Sequence, residues 1–406
     1  MSHLICRSCR KTTSGHELQH AACIGKLFFH RNPRPRFFLF PPHYLFYSVR
    51  VIDSDGRLSE FLSALRVAEW VALDTEADSL HAYPEKLCLL QISTAHRDDL
   101  IDPLAAIDLP LLWPVLHQQQ LIMHGADYDL RLLRRKHDFV PVRIFDTMLA
   151  SRLLGEREFG LSSLARKCLG VTLEKGSQKA DWATRPLTAR MEAYARNDTH
   201  YLKPLADILG EQLRQKGRLG WLEQSCARLI ADCSRLAPPD PDLVWRIKGS
   251  HRLSRHGLAV LREAWRWREQ EAIAMNRPPY FVLSHEALLE IAIAAAGNVE
   301  VENLLPRRFP ARRKDELLEA IQKGLAVPPE EQPRPLRNIS RRQTEAERRR
   351  FLELEQRRND RAAKLDLDPT LIAPRATLAA LAHDWHAHQQ EIMDWQRELL
   401  TKEDHQ

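Results

Sequence analysis

From Ser48 onward the chain alternates short apolar runs with segments of helical period. YSVRVIDS reads as a strand and SEFLSALRVA as a helix, followed by WVALD, LCLLQIS and DDLIDP as three strands with short links. Brief runs of β-branched and other apolar residues between turn residues are the pattern of buried strands. LPLLWPVL then reads as a helix and LIMH as another strand, and the remainder to about residue 215 is mostly helical around a short strand at VRIFD. Strands interleaved with helices predict an α/β domain. The proline-rich LAPPDPDLVW near residue 235 breaks this pattern and reads as a linker. Beyond it the periodicity is almost wholly helical: Leu258, Leu261 and Trp265 share a stripe, and Ser284 is placed to cap HEALLEIAIAA. A second linker, VPPEEQPRP, leads into a last helical stretch.

Three acidic clusters stand out against this framework: Asp74-Thr75-Glu76 after WVAL, Asp129 after LIMH, and Tyr194 with Asp198 in MEAYARNDTHYL. Side chains two apart on a strand point the same way, so Asp74 and Glu76 leave the strand end on one face with Thr75 turned away. Asp129 falls at a strand-to-helix junction, where a carboxylate also meets the positive end of the helix dipole. Tyr194 and Asp198 are four apart in a helical segment and stack on one helix face. Each cluster alone also fits an ordinary role: a solvated turn, a helix cap or a surface pair. Spacing by itself does not choose between Asp127 and Asp129.

Together the clusters supply four carboxylates and a phenol. Hard divalent cations such as Mg²⁺ prefer carboxylate oxygen, and two ions about 3.5–4 Å apart activate a water and stabilise the leaving oxygen of a phosphodiester. A free tyrosine hydroxyl ionises near pH 10, so Tyr194 is assigned to orienting the attacking water rather than to accepting its proton.

Asp-x-Glu, then an aspartate about fifty residues on, then Tyr-x3-Asp resembles the DEDD superfamily of 3′–5′ exonucleases in its tyrosine variant. The flanking text LCLLQIS, HGADYDLRLL, FDTMLASRLL and KADWATRPLTARMEAYARNDTHYL is similar to the ribonuclease D family over roughly residues 48 to 210. The resemblance implies a ribonuclease-H-like exonuclease domain over 48–215, a mixed sheet flanked by helices whose strand ends gather the carboxylates. It implies Asp74, Glu76, Asp129 and Asp198 as ligands of two divalent ions, Mg²⁺ or Mn²⁺, and Tyr194 as the water-positioning group. His81, Tyr83, Gln91, Lys179 and Trp182 are weaker candidates for substrate contact, with a framework role open for Gln91 and Trp182. VWRIKGSHRLSRHGLAVLREAWRWREQEAIAMNRPPYFVLSHEALLEIA resembles the HRDC domain, here over 236–325, and residues 338–406 resemble a second, weaker HRDC repeat.

Composition changes the picture only modestly. A chain of 406 residues exceeds one ordinary domain, and 44% hydrophobic residues suffice for real cores. The net charge of +6 agrees with a polyanionic partner, yet the site is acidic, so the basic surface must lie elsewhere. Arg246, Lys248, Arg252 and Arg255 are candidates for phosphate contact, with ordinary solvated charge as the alternative. Trp265 reads as core, while Trp267 lies off the stripe. The run from Arg341-Arg342 through Arg350 reads as a solvated helix face. Seven cysteines without a framework spacing fit a reduced, cytoplasmic compartment, and Cys88 reads as core.

Residues 1–47 are basic and aromatic, with Glu17 as their one acid. They admit three readings: a zinc site from Cys6, Cys9, His16, His20 and Cys23, a targeting peptide, or an extension that never folds. FFLFPPHYLFYSV is too short, and too broken by Pro41 and Pro42, to span a bilayer. The expectation for the whole chain is a monomeric 3′–5′ exoribonuclease acting on the 3′ ends of transfer RNA precursors or other small structured RNAs. A DNA-directed exonuclease and a non-catalytic RNA-binding scaffold are the alternatives.

Overall fold

The structure is a computed structural model that describes residues 50–174, 176–235, 240–336 and 343–401. The three readings of residues 1–47, and the pair Arg341-Arg342, lie outside the described residues. Six strands form one mixed sheet: β1 (Arg50–Ile52), β2 (Val71–Ala77), β3 (Leu87–Ser93), β4 (Asp98–Ile101), β5 (Gln120–Met123) and β6 (Arg143–Asp146). Their order is β1-β4-β3-β2-β5-β6. β3 runs antiparallel to both β2 and β4, whereas β2, β5 and β6 are mutually parallel. Every residue of β3 is buried, which is why its sequence is a nearly unbroken apolar run rather than an alternating one.

Helices α1 (Asp55–Arg66), α2 (Leu112–His117), α3 (Asp127–His137), α4 (Thr147–Leu154), α5 (Leu161–Leu164), α6 (Ala189–His200), α7 (Leu202–Gln215) and α8 (Leu219–Ser234) cover the sheet. In α1, Leu58, Phe61, Leu62 and Leu65 recur at helical spacing and are all buried. One large core joins Leu73, Leu90, Ile92 and Leu121 of the sheet to Leu132 of α3, Leu153 of α4 and Leu205 of α7.

The helical remainder divides in two. α9 (Arg255–Met275), α10 (His285–Ala296) and α11 (Ala311–Leu325) build their own core around Leu258, Leu261, Leu288 and Leu317. The later helices α12 (Glu345–Leu365), α13 (Pro369–Ile372), α14 (Arg375–His383), α15 (Trp385–His388) and α16 (Asp394–Thr401) instead feed Phe351, Ala362, Leu378 and Trp395 into the core of the α/β domain. Trp395 stacks on Trp221 of α8 at 4.9 Å. Among the described residues no helix is long and apolar enough to cross a membrane.

The reading of the two tryptophans of α9 is corrected. Trp267 is the buried tryptophan of α9, with 8% of its surface exposed, and Trp265 is only half-buried. The buried face runs through Leu258, Leu261, Ala264, Trp267 and Arg268, so a small alanine, not Trp265, occupies its centre. Arg246 donates to the carbonyls of Asp242 and Arg334, and Arg255 to that of Gln332. These two guanidinium groups hold the 330–334 segment against the helical unit.

Candidate active site

The carboxylates are brought together by strand ends. β2 and β5 are parallel and adjacent, so the last residues of β2 and the start of α3, which follows β5, meet at one edge of the sheet. α6 crosses the neighbouring face: on it, the Thr199 hydroxyl lies 2.7 Å from that of Ser93, and Ser93 donates to Asp98 at 2.6 Å. His200 Nδ1 also meets Asp98, at 2.8 Å. This buried polar belt pins α6 to β3 and β4 and thereby fixes Asp198.

The structure places Asp74, Glu76 and Asp198 with one carboxylate oxygen each within 4.8 Å of the others. A register shift in the β2–β3 ladder at Glu76/Ala77 re-aims the end of the strand, as bulges beside sites commonly do. Asp129 is buried beside them, its Oδ1 accepting a 2.5 Å hydrogen bond from the Thr75 hydroxyl. Thr75 does point to the opposite face of β2, but that face is the one α3 approaches. There its hydroxyl holds Asp129. Asp127 faces outward and pairs with Arg131 at 3.0 Å, which settles the choice between the two aspartates.

The position of α3 is itself prepared by Asp146. Its carboxylate accepts from the N–H groups of Met148 and Leu149 at the start of α4, and from those of Gly125 and Ala126 ahead of α3. Gly125 sits at φ 68°, and a Cβ there would approach the Met148 methyl to 2.7 Å, so the turn needs glycine.

Burial and mutual repulsion dominate the electrostatics. Asp74 is pushed well above the usual carboxylate range by burial and then by Asp129, Asp198 and Glu76. Burial, with Asp198 and Asp129, raises Glu76 to about 9. Asp198 rises to about 7 and Asp129 to about 6, again mainly through burial, each opposed by one hydroxyl hydrogen bond, from Tyr194 and Thr75 respectively. Tyr194 is pushed up by burial and by Asp198, so its phenol stays protonated at neutral pH. Among the described residues no lysine, arginine or histidine forms an ion pair with any of the four carboxylates. An all-oxygen donor set without a resident cation is the chemistry that hard divalent ions take, so the residues fit such a metal.

The surrounding groove has a volume of about 570 Å³. Besides the five central residues it is lined by His124, Tyr128, Gln178 and Asn197, none of which the sequence reading singled out. Gln178 hydrogen-bonds Tyr194. His124 Nδ1 lies 2.9 Å from the Thr147 hydroxyl, which donates its own proton to the Met123 carbonyl, so Nδ1 carries the hydrogen. Burial lowers the His124 pKa. Its signal was its place directly after β5, since the carboxyl ends of neighbouring parallel strands converge on such sites.

The weaker candidates fall elsewhere. Gln91 is paired with Asp74 in the β2–β3 ladder and shares its face, but it is wholly buried and does not line the groove. Trp182, 1% exposed, packs 6.1 Å from the Tyr194 ring and is framework, held by Arg185, which donates to its carbonyl and forks onto Asp102. His81 Nε2 meets the Lys179 carbonyl at 3.1 Å, joining the 78–86 loop to the segment before α6, while Lys179 itself is exposed. Tyr83 turns to the helical unit and donates to Glu269 at 2.5 Å.

A mixed sheet that collects carboxylates at its strand ends, backed by a helix bearing Tyr-x3-Asp, defines a nuclease-type domain of the 3′–5′ exonuclease class. The family model for 3′–5′ exonuclease matches residues 49–214, and the HRDC domain model matches 257–301. Ribonuclease D of Pseudomonas paraeruginosa is 31% identical over 296 residues, 71% of this chain and 78% of that protein. Ribonuclease D of Shewanella sp. is 32% identical over 245 residues, 59% of this chain but 63% of that one, just under two thirds of its length. The crystal structure of Escherichia coli RNase D, described as an exoribonuclease involved in structured RNA processing, superposes with a TM-score of 0.69 at 25% identity, covering 87% of this chain and 96% of that one. The chain belongs to the ribonuclease D family.

Proposed function

We propose that the chain is a metal-dependent 3′–5′ exoribonuclease that removes nucleoside 5′-monophosphates from RNA 3′ ends. The observation that carries this is the convergence of Asp74, Glu76, Asp129 and Asp198 in one groove without a compensating cation among the described residues. In this reading the four carboxylates hold two divalent ions, Mg²⁺ or Mn²⁺, which when bound supply the charge that acidifies a water and stabilises the leaving 3′-oxygen. Tyr194, protonated and fixed between Asp198 and Gln178, orients that water for attack on phosphorus. Thr75 and Asp146 act through Asp129 by holding its carboxylate and its helix. The description of the E. coli relative supports structured RNA as the substrate class. The match of residues 257–301 to HRDC supports a helical unit appended to the nuclease.

The test is hydrolysis of matched 3′-labelled RNA and DNA oligomers with Mg²⁺ or Mn²⁺. Stepwise loss of mononucleotides from RNA, abolished by chelation, is expected. Preference for DNA, or activity on neither, would overturn the reading.

A further inference from the structure

Tyr280 and Phe281 occupy the short 3₁₀ turn Pro279–Phe281 between α9 and α10. Their rings stack with centroids 4.6 Å apart at 30°, yet the residues remain 55% and 53% exposed. The Arg277 guanidinium stands 5.8 Å from the Phe281 ring centroid, is exposed, and has no carboxylate partner among the described residues. The same helical unit buries Trp245 and Trp267, so leaving this stacked pair in solvent is not for want of a core.

The pair also has a defined place beside the acidic groove. The Tyr280 hydroxyl donates to the Leu80 carbonyl at 3.1 Å, on the loop joining β2 to β3. Five residues on, Glu85 of that loop accepts from the Tyr128 hydroxyl at 2.8 Å, and Tyr128 lines the groove. Five residues span at most about 18 Å even when fully extended. One loop therefore connects the aromatic pair to the wall of the catalytic groove.

We infer that Tyr280 and Phe281, with Arg277, form a stacking site for unpaired bases of the RNA 3′ segment as it enters the groove. Aromatic faces accept any base, because every base has a π-face, and a nearby free cation attracts the phosphates between bases. The site lies outside the carboxylate groove, so it grips nucleotides upstream of the scissile linkage. It rests on the exoribonuclease reading above.

The experiment compares the wild type with Tyr280→Ala/Phe281→Ala and Tyr280→Phe. Each is assayed with Mn²⁺ on a dinucleotide and on RNA with a long unpaired 3′ tail, and each is titrated with the tailed RNA by fluorescence anisotropy without metal. The double variant should lose about ten-fold in kcat/KM and in affinity for tailed RNA, given that losing one stacked base is of that order. Its dinucleotide hydrolysis should be unchanged, and Tyr280→Phe, which keeps the ring and loses the bond to Leu80, should behave as wild type. Equal losses on both substrates would reduce the pair to a structural support, and an unchanged affinity for tailed RNA would remove it from the RNA path. If the wild type hydrolyses neither substrate, the exoribonuclease reading fails by itself. The anisotropy comparison then still decides the stacking site.

Discussion

The acidic groove and the helical unit of α9–α11 both bury charge, and they do so in opposite ways. In the helical unit Arg268, 2% exposed, meets Glu269 at 2.8 Å, and Glu271, 5% exposed, is held by Arg313 at 2.6 Å and Arg312 at 2.8 Å. In the groove four carboxylates face one another with no basic partner among the described residues. Removing charge from water is costly unless a counter-charge meets it. The first arrangement completes itself within the helical unit; the second finds no counter-charge among the described residues and suits a bound cation. That contrast, more than burial or motif spacing, separates architecture from a binding site in this molecule.

The strongest way to break the comparison is to neutralise a charge in the groove. Asp74→Asn or Asp198→Asn should lower RNA hydrolysis about a thousand-fold or more, as loss of several kcal/mol of metal-derived transition-state stabilisation requires. Because each substitution also removes repulsion, the metal-free variants should melt no lower than the wild type. A variant that trims RNA at the wild-type rate, or one that unfolds early, would place these residues in the framework instead.

Metal and pH offer the next largest effect. The carboxylates of the groove have folded-state pKa values above their unfolded ones of about 4. Their contribution to stability is therefore fully present below that pH and is lost as pH rises through about 6 for Asp129, 7 for Asp198 and 9 for Glu76. Metal-free protein should melt at progressively lower temperature between pH 6 and pH 9 as the groove ionises. Mg²⁺ or Mn²⁺ at about a hundred times its dissociation constant should restore about 2.7 kcal/mol. Since bound metal displaces protons, its apparent affinity should tighten with pH. Calorimetric scans with and without Mn²⁺ check both signs, and a melting temperature that rises with pH without metal would contradict the electrostatics given above.

Much of this contrast could be read from the sequence on one side and little on the other. Period two on a short apolar run placed Asp74 and Glu76 together, and period 3.6 placed Tyr194 over Asp198. The choice of Asp129 over Asp127 could not be made from spacing, because both lie in the first turn of α3, and the difference is tertiary: Thr75 bonds Asp129, while Asp127 faces outward to Arg131. For Gln91 and Trp182 the sequence leaves both a contact and a framework role open, because only packing shows that both are buried. In α9 the buried stripe carries Arg268 and Glu271 as well as apolar residues, so its phase is disguised and the sequence points to Trp265 where the structure buries Trp267. Paired buried charges look like surface in one dimension. The distinction between compensated and uncompensated charge depends on partners that are 41 or 42 residues away for Glu271 and 54 for Asp129, and local periodicity carries no information about them.

The smallest effect tests the compensated side. Glu271→Gln keeps the shape of the side chain but removes the charge that Arg312 and Arg313 share. Arg312 is largely exposed and can turn to water, whereas the Arg313 side chain is only 20% exposed and loses its carboxylate where solvent reaches poorly. The loss should be about 2 kcal/mol, near the cost of leaving a buried charged hydrogen bond half-made. Dinucleotide hydrolysis should stay at the wild-type level, because Glu271 touches nothing in the groove. Neutralising one carboxylate thus has opposite consequences in the two regions: at residue 271 it costs stability and spares turnover, and at residue 74 it spares stability and costs turnover. Urea titrations of the two variants beside their dinucleotide assays make the comparison directly, and the same pattern of stability and activity in both would mean that partner geometry does not distinguish the regions.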